Sequence, residues 1–371
     1  MRPPALALAA IVSCASLPAG ATPWDEVAHP NRRRCAQLLG DAGKLGDVHQ
    51  WQAAASDART AASLCLGDRS IQQRAGEILL AAHEYADGRL RLERARLLAD
   101  ESPGTHDEER SLAFLLGFAR EITGDLDGAI EEHHRLEAMG GLPPPNQYLV
   151  HYNLGDELMA AGRLAEAIDE YRRAVAFAGA KPVVRLALAV ALDRDEEVDQ
   201  ARLELSGVLA FDPELRSLSA EDYVFVPPED IYYYRALALA ERGSAAEARI
   251  YLRRFLAELP SGPYAAHARR RLAAAEEHVD PRELEVSSGA VDTRLVAAAL
   301  GPVLAALDGC YPNSRLVQVR LQVGSGFLRA PPEYPQAACL DRALSRIDAR
   351  ALAPLRAGAV GLTLAGRRGA P

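Results

Sequence analysis

The chain has 371 residues, 49% of them hydrophobic and 25% charged, with a formal net charge of −9. This is a globular composition, and the length allows two or three domains. The acidic balance repels phosphate backbones, so nucleic acid is not an expected partner. Aromatic residues are only 6%, while alanine and leucine abound. Both favour helix, because alanine loses no side-chain entropy there and leucine loses little.

Residues 1–21 read as an export signal. Arg2 is a short positive start, Ala5 to Val12 is apolar, Pro18 breaks the run, and Ala19-Gly20-Ala21 offers the small residues a signal peptidase needs. The run is too short for a permanent membrane anchor. A second reading stands beside this one: Ile11-Val12-Ser13-Cys14 resembles a bacterial lipobox, in which Cys14 becomes the lipidated mature N-terminus. Membrane attachment is expected only through that lipid. Once Cys14 is removed or lipidated, four of the five cysteines remain, an even number in an oxidising compartment. Three pairings are open. Locality favours Cys35 with Cys65 and Cys310 with Cys339, and four buried free thiols are the alternative.

Residues 30–109 read as helical hairpins. Pro30 to Cys65 is expected to turn near Gly40 to Gly46, and Ser70 to Pro103 to be a degenerate repeat turning at Asp87-Gly88. Residues 110–280 carry a clearer repeat. From Tyr148 to Lys181 two helical patterns meet at Ala161-Gly162-Arg163. Leu154, Gly155 and Leu158 share one face of the first, and Ala167, Tyr171 and Ala174 one face of the second. Gly155 and Ala167 let the helix backbones approach, and Tyr171 fills the space beside them. The pattern recurs upstream at Leu116-Gly117, Gly124, Ala129 and Leu136. Downstream it recurs at Leu188-Ala189, Leu192, Ala201, Leu205 and Val208, then at Ala236, Leu239, Gly243, Ala248, Leu252 and Phe255. Pro213 and Pro260 fall where second helices stop. Arg216 to Pro228, with its apolar Tyr223-Val224-Phe225-Val226, is an insertion before the last unit. Pro263 to His278 reads as a capping helix.

These residues, with their spacing of about 34 residues, resemble the tetratricopeptide repeat (TPR). The resemblance implies a mainly α protein, an α-α superhelical solenoid whose first helices line a groove. It places Phe114, Phe118, Tyr152, Asn153, Asp156 and Tyr233 on that groove as partner-binding residues, together with Leu186, Val190 and Leu237, and the alternative is that several of them are simply core. Asn153 precedes Leu154-Gly155, as in TPRs that clamp a carboxylate. A solenoid of this kind supplies a surface and no chemistry of its own.

Residues 284–366 read as a small α+β domain. Thr293 to Leu307 is an expected helix, Leu316 to Val323 alternates like a half-buried strand, and Gly324-Ser325-Gly326 is a hairpin turn into Phe327 to Ala330. A helix from Pro335 to about Arg350 and a strand at Ala359 to Leu364 follow. Cys310-Tyr311 after a helix, the alternating strand, the glycine turn and Cys339 opening a later helix resemble the C-terminal domain of AgmX-type envelope proteins, itself similar to that of TonB. Pro312 stands where that family carries a charge. The resemblance implies contact with envelope proteins.

Motifs for catalysis are missing. There is no G-x-S-x-G, no G-x-x-x-x-G-K and no H-E-x-x-H, since His83-Glu84 is followed by Asp87 where the second histidine belongs. Asp125-Leu126-Asp127-Gly128 lacks the later ligands of a calcium loop and reads as a repeat turn. His133 and His134 are adjacent and point to different sides of a helix. No catalytic residue, metal or cofactor is expected. The function expected is an exported, periplasmic or outer-membrane-attached scaffold that binds envelope proteins or peptides. The alternative is a structural subunit of an envelope transport, secretion or motility assembly, held by its C-terminal domain.

Overall fold

A computed structural model describes residues 30–366, apart from 102, 141, 143, 179–180, 220–224 and 314. The expected leader, Cys14 and the Tyr223-Val224 stretch lie outside the described residues. The chain forms two compact units, one running to Val184, the other from Arg185 onward, with Ser219–Val226 grouping with the first. Among the described residues no helix is long and apolar enough to cross a membrane.

The first unit is a run of helix pairs: α1 (Arg32–Asp47) with α2 (Trp51–Leu64), α3 (Arg69–Ala81) with α4 (Tyr85–Glu101), α5 (His106–Ile122) with α6 (Leu126–Met139), and α7 (Pro144–Ala160) with α8 (Leu164–Ala178). Three of these pairs meet at a glycine. A Cβ added to Gly155 would lie 2.5 Å from the Tyr171 ring, and one added to Gly117 would lie 2.8 Å from the His133 ring. The same contact exists one pair earlier. A Cβ on Gly76 would lie 2.7 Å from Leu92 and 3.1 Å from the Gly88 carbonyl, and one on Gly88 would lie 3.2 Å from the Gly76 carbonyl.

Gly88 is therefore not the turn that glycine's breaker character suggested. It lies inside α4, and the turn falls at Ala82 to Glu84, where His83 takes φ 62°. The first hairpin differs in the same way. Helix α1 runs through Gly40, Gly43 and Gly46, and the chain turns at Val48 to Gln50, with His49 at φ 59°. The repeat turn at Asp125 is as expected. Its side chain caps α6 by accepting from Gly128 N at 3.2 Å. Cys35 and Cys65 bridge the open end of the first hairpin, with sulfurs 2.15 Å apart.

In the second unit α9 (Pro182–Arg194), which begins in the first, leads to α10 (Val198–Phe211), α11 (Ile231–Arg242), α12 (Ala245–Glu258) and the capping helix α13 (Ala265–Glu276). A four-stranded antiparallel sheet follows, in the order β1 (Glu285–Gly289), β4 (Gly358–Ala365), β2 (Leu316–Gly324), β3 (Phe327–Arg329). Val319, Leu321 and Val323 on β2 alternate inward with Val360, Leu362 and Leu364 on β4. They pack on α14 (Thr293–Leu300), α15 (Leu304–Asp308), α16 (Ala337–Leu344) and the short α17 (Ala349–Leu352). The helix expected over Thr293 to Leu307 is broken at Gly301-Pro302, since proline removes a backbone donor. The helix expected from Pro335 divides into α16 and α17. Strand β1 has no sequence signal, because all five of its residues are exposed and none alternates inward. Cys310 and Cys339 sulfurs lie 2.05 Å apart, tying the end of α15 to α16.

The small domain is not a loose appendage. Asp308 is fully buried and accepts from Arg249 Nε at 3.0 Å, Arg253 Nη2 at 2.8 Å and the Ala365 backbone N–H at 2.9 Å. Two arginines of α12 thus grip the end of α15 and the last strand. Val279, before the expected boundary at 284, sits in the small domain's core.

Three outcomes follow. Gly155→Ala should lower stability by about 1–3 kcal/mol, because the Tyr171 ring is in the way. Gly40→Ala, with nothing within 4 Å of the added carbon, should be neutral or stabilise by up to about 1 kcal/mol. Urea unfolding followed by helical circular dichroism measures both. Asp308→Asn should cost about 3–5 kcal/mol, as one partner is removed from a buried charge cluster. A loss below about 1 kcal/mol would mean that the arginines find other partners.

Candidate functional site

The expected groove residues divide between the units. Phe114, Phe118, Tyr152, Asn153 and Asp156 lie in the first, on the first helices α5 and α7, which are in contact. Tyr233 lies in the second. Their burial is high for a groove lining: Phe114 is 4% exposed, Tyr152 5% and Tyr233 1%. Phe118 and Asn153 are half-buried, Phe118 against the core shared by α3, α4 and α5. Tyr233 donates to Asp193 Oδ2 at 2.5 Å and meets Phe255 edge-on at 5.4 Å. Asp193 also pairs with His267 (3.1 Å) and with Arg271, both of the capping helix. Tyr233 thus belongs to a network joining α9, α11 and α13.

In the first unit the aromatic positions surround a buried polar cluster. Phe114 meets His133 at 6.0 Å, near edge-on, and Tyr152 meets Tyr171 at 6.1 Å. Tyr171 donates its hydroxyl proton to Asp156 Oδ1 at 2.5 Å. Asn153 Nδ2 donates to His133 Nε2 at 3.4 Å. That leaves His133 Nδ1 to carry the ring proton and donate to Glu157 Oε1 at 2.6 Å. Both His133 and Glu157 are wholly buried. Burial lowers the His133 pKa to about 4, so the ring is neutral at pH 7.

Glu121, at the end of α5, completes the cluster. It is 6% exposed. Burial raises its carboxyl well above the usual carboxylate range, and the Glu157 and Asp156 charges add to the effect. Burial likewise raises Glu157. The second oxygen of Glu157 has no hydrogen-bond partner among the described residues.

Sequence reading placed Phe114, Tyr152, Asn153 and Asp156 together, set His133 aside as a metal ligand, and passed over Glu121 and Glu157. A signal for His133 exists. It follows Gly117 by sixteen residues, as Tyr171 follows Gly155 and Leu92 follows Gly76, so it is the ring that fills the helix crossing. His134, its neighbour, is exposed and pairs with Glu137 at 3.3 Å. Among the described residues no group of three or more His, Cys, Asp or Glu is placed to hold a metal ion.

No protein-family model matches this chain, and no curated protein does. Solved structures do. MamA (AMB-1) matches at 17% identity and a TM-score of 0.40, over 49% of this chain and 93% of that one. YrrB, described as a TPR protein with an unusual peptide-binding site, matches at 16% and 0.36, over 58% and 99%. A putative kinesin light chain from Podospora anserina with nearly identical TPR-like repeats matches at 16% and 0.43, over 50% and 98%. The fold assignment rests on this chain's own helix pairs: it is a mainly helical, TPR-type repeat followed by a small antiparallel sheet.

The cluster makes a pH-dependent prediction. Glu121 has a folded-state pKa above its unfolded value, so its favourable contribution is complete below the unfolded pKa and is lost as pH rises through the folded one. Glu121→Gln should therefore stabilise the protein relative to wild type, and more so at pH 8 than at pH 5. Urea midpoints at the two pH values check this. A destabilised variant, or an equal gain at both, would contradict it.

Proposed function

We propose that this chain is an exported TPR scaffold that holds proteins or peptides of the bacterial cell envelope together. The observation that carries the reading is the first-helix face of α5 and α7. It gathers Phe114, Phe118, Tyr152, Asn153 and Asp156 from two repeats onto contacting helices, an arrangement suited to an apolar or helical peptide with a polar anchor. The short apolar run with its small-residue cleavage site supports export. Two cysteine pairs at disulfide distance suit an oxidising compartment. Under the lipobox reading, Cys14 would hold the scaffold at a membrane.

A second reading, a structural subunit held by its C-terminal domain, draws on the Asp308 contacts. A partner that grips the sheet would also hold α12 and the last helix pair through Arg249 and Arg253. The sheet's open face presents Gln318, Arg320 and Gln322, all exposed, for such a grip. It fits the expected likeness to TonB-type domains.

The readings separate experimentally. A photo-crosslinking residue in place of Phe118, in the native cell, should capture a discrete protein. The same residue in place of Leu203, which is 72% exposed on a second helix, should capture none. Equal capture at both positions would sink the groove reading. Gln318→Arg with Gln322→Arg should leave capture intact under the first reading and abolish it under the second.

A further inference from the structure

We propose that the Cys310–Cys339 bond is a reversible thiol–disulfide site, opened by a dithiol oxidoreductase, and that opening it loosens the segment 331–336 beside strand β2. Such a site goes beyond the scaffold reading and is compatible with any partner. The two bridges of the chain differ in exposure. Cys35 has none and Cys65 is 9% exposed. Cys310 is 7% exposed, but Cys339 lies on the surface. A thiolate must reach a sulfur to open a disulfide, so Cys339 is the accessible point of attack.

The surroundings lean on the two bonds unequally. The first hairpin packs around Ala54, Ala55, Ala58, Ala61 and Ala62, whose side chains bury little apolar area each. There the Cys35–Cys65 tie supplies what the side chains do not. Around Cys310 and Cys339 the core is larger-grained. Leu304 and Leu307 anchor α15, and Leu340 and Leu344 anchor α16. Asp308 holds its end of α15 through Arg249, Arg253 and the Ala365 N–H, and Asp341 Oδ1 accepts from the Ala330 N–H at 2.9 Å. Both helices therefore stay packed with the bond open. Exposed disulfides are the labile ones.

What the bond holds is the start of α16. Cys339 is its third residue, and segment 331–336 leads into it. In that segment the Tyr334 hydroxyl accepts from the Arg320 backbone N–H at 3.0 Å. Arg320 lies two residues before Gln322, whose pairing with Arg329 is the last between β2 and β3 on that side. Tyr334 thus covers an edge amide that β3 does not reach. The exchange takes two steps. An oxidoreductase thiolate attacks Cys339 Sγ, the Cys310–Cys339 bond breaks, and the electron pair leaves on Cys310 Sγ, which takes up a proton. The second oxidoreductase thiolate attacks its own sulfur in the mixed disulfide and releases Cys339. A thiolate is favoured in the first turn of a helix, and it is then protonated. Two electrons and two protons pass from the dithiol, which ends as a disulfide, to this chain.

The test is graded dithiothreitol on the full chain, with iodoacetamide trapping, peptide mapping by mass spectrometry and amide exchange on the same samples. Cys310 and Cys339 should be labelled at on the order of tenfold less dithiothreitol than Cys35 and Cys65, with helical circular dichroism unchanged. At that point the Arg320 amide should exchange on the order of tenfold faster, while β4 keeps its protection. Cys310→Ser with Cys339→Ser should show the same faster exchange without reductant, which assigns the effect to this bond. All four cysteines labelled together, Cys35 and Cys65 labelled first, or helix lost when the bond is opened or removed would overturn the proposal. So would an Arg320 amide that exchanges alike in oxidised, reduced and variant protein.

Discussion

The fold depends on one contact repeated along the chain, the approach of two helix backbones at a position with almost no side chain. Gly76 against Gly88, Gly117 beside His133 and Gly155 beside Tyr171 are three instances in successive pairs. The spacing is regular. Twelve residues separate Gly76 from Gly88, Gly117 from Ala129, Gly155 from Ala167, Ala189 from Ala201 and Ala236 from Ala248. Alanine or glycine at these places permits the crossing, and a large residue four positions further on, at Leu92, His133, Tyr171, Leu205 and Leu252, fills the space beside it. Whatever face the first helices present is set by this geometry. Close packing leaves little freedom to change it without strain.

The buried charges divide by purpose. Asp308 with Arg249 and Arg253 is a complete set. Each carboxyl oxygen has donors, and the result is a rigid joint between a helix pair and the sheet that follows it. Asp193 is faced by Tyr233, His267 and Arg271, and it ties the capping helix to the repeats it closes. Around Glu121 the account does not balance. Burial beside Glu157 and Asp156 raises the Glu121 carboxyl well above the usual carboxylate range, so replacing this glutamate should make the protein more stable.

The repeat was legible because its signal is periodic and packing-driven: small residues at fixed intervals, apolar faces, and turns at Gly124, Gly162 and Gly243, where φ is positive. Gly88 and the glycines of α1 misled, since the same residue type marks a turn and a close approach, and only the partner helix distinguishes them. The turns themselves use His49 and His83, which carry no turn signal of comparable strength. Strand β1 was invisible because an exposed edge strand buries no alternate residues. The site was half legible. Positions within the repeat placed Phe114, Tyr152 and Asp156 on one face. The pairing of His133 with Glu157 needs two helices in register, which spacing within one helix does not report.

The account's central claim is that the first-helix face of α5 and α7 is where this chain takes hold of another protein. Amide hydrogen exchange of the full chain, alone and with a captured partner, addresses it directly. The account predicts slowed exchange in α5 and α7, centred on Glu121 and on Tyr152 to Glu157, with little change in α6 and α8. Protection confined to the C-terminal sheet or the second helices, with α5 and α7 unchanged, would contradict it.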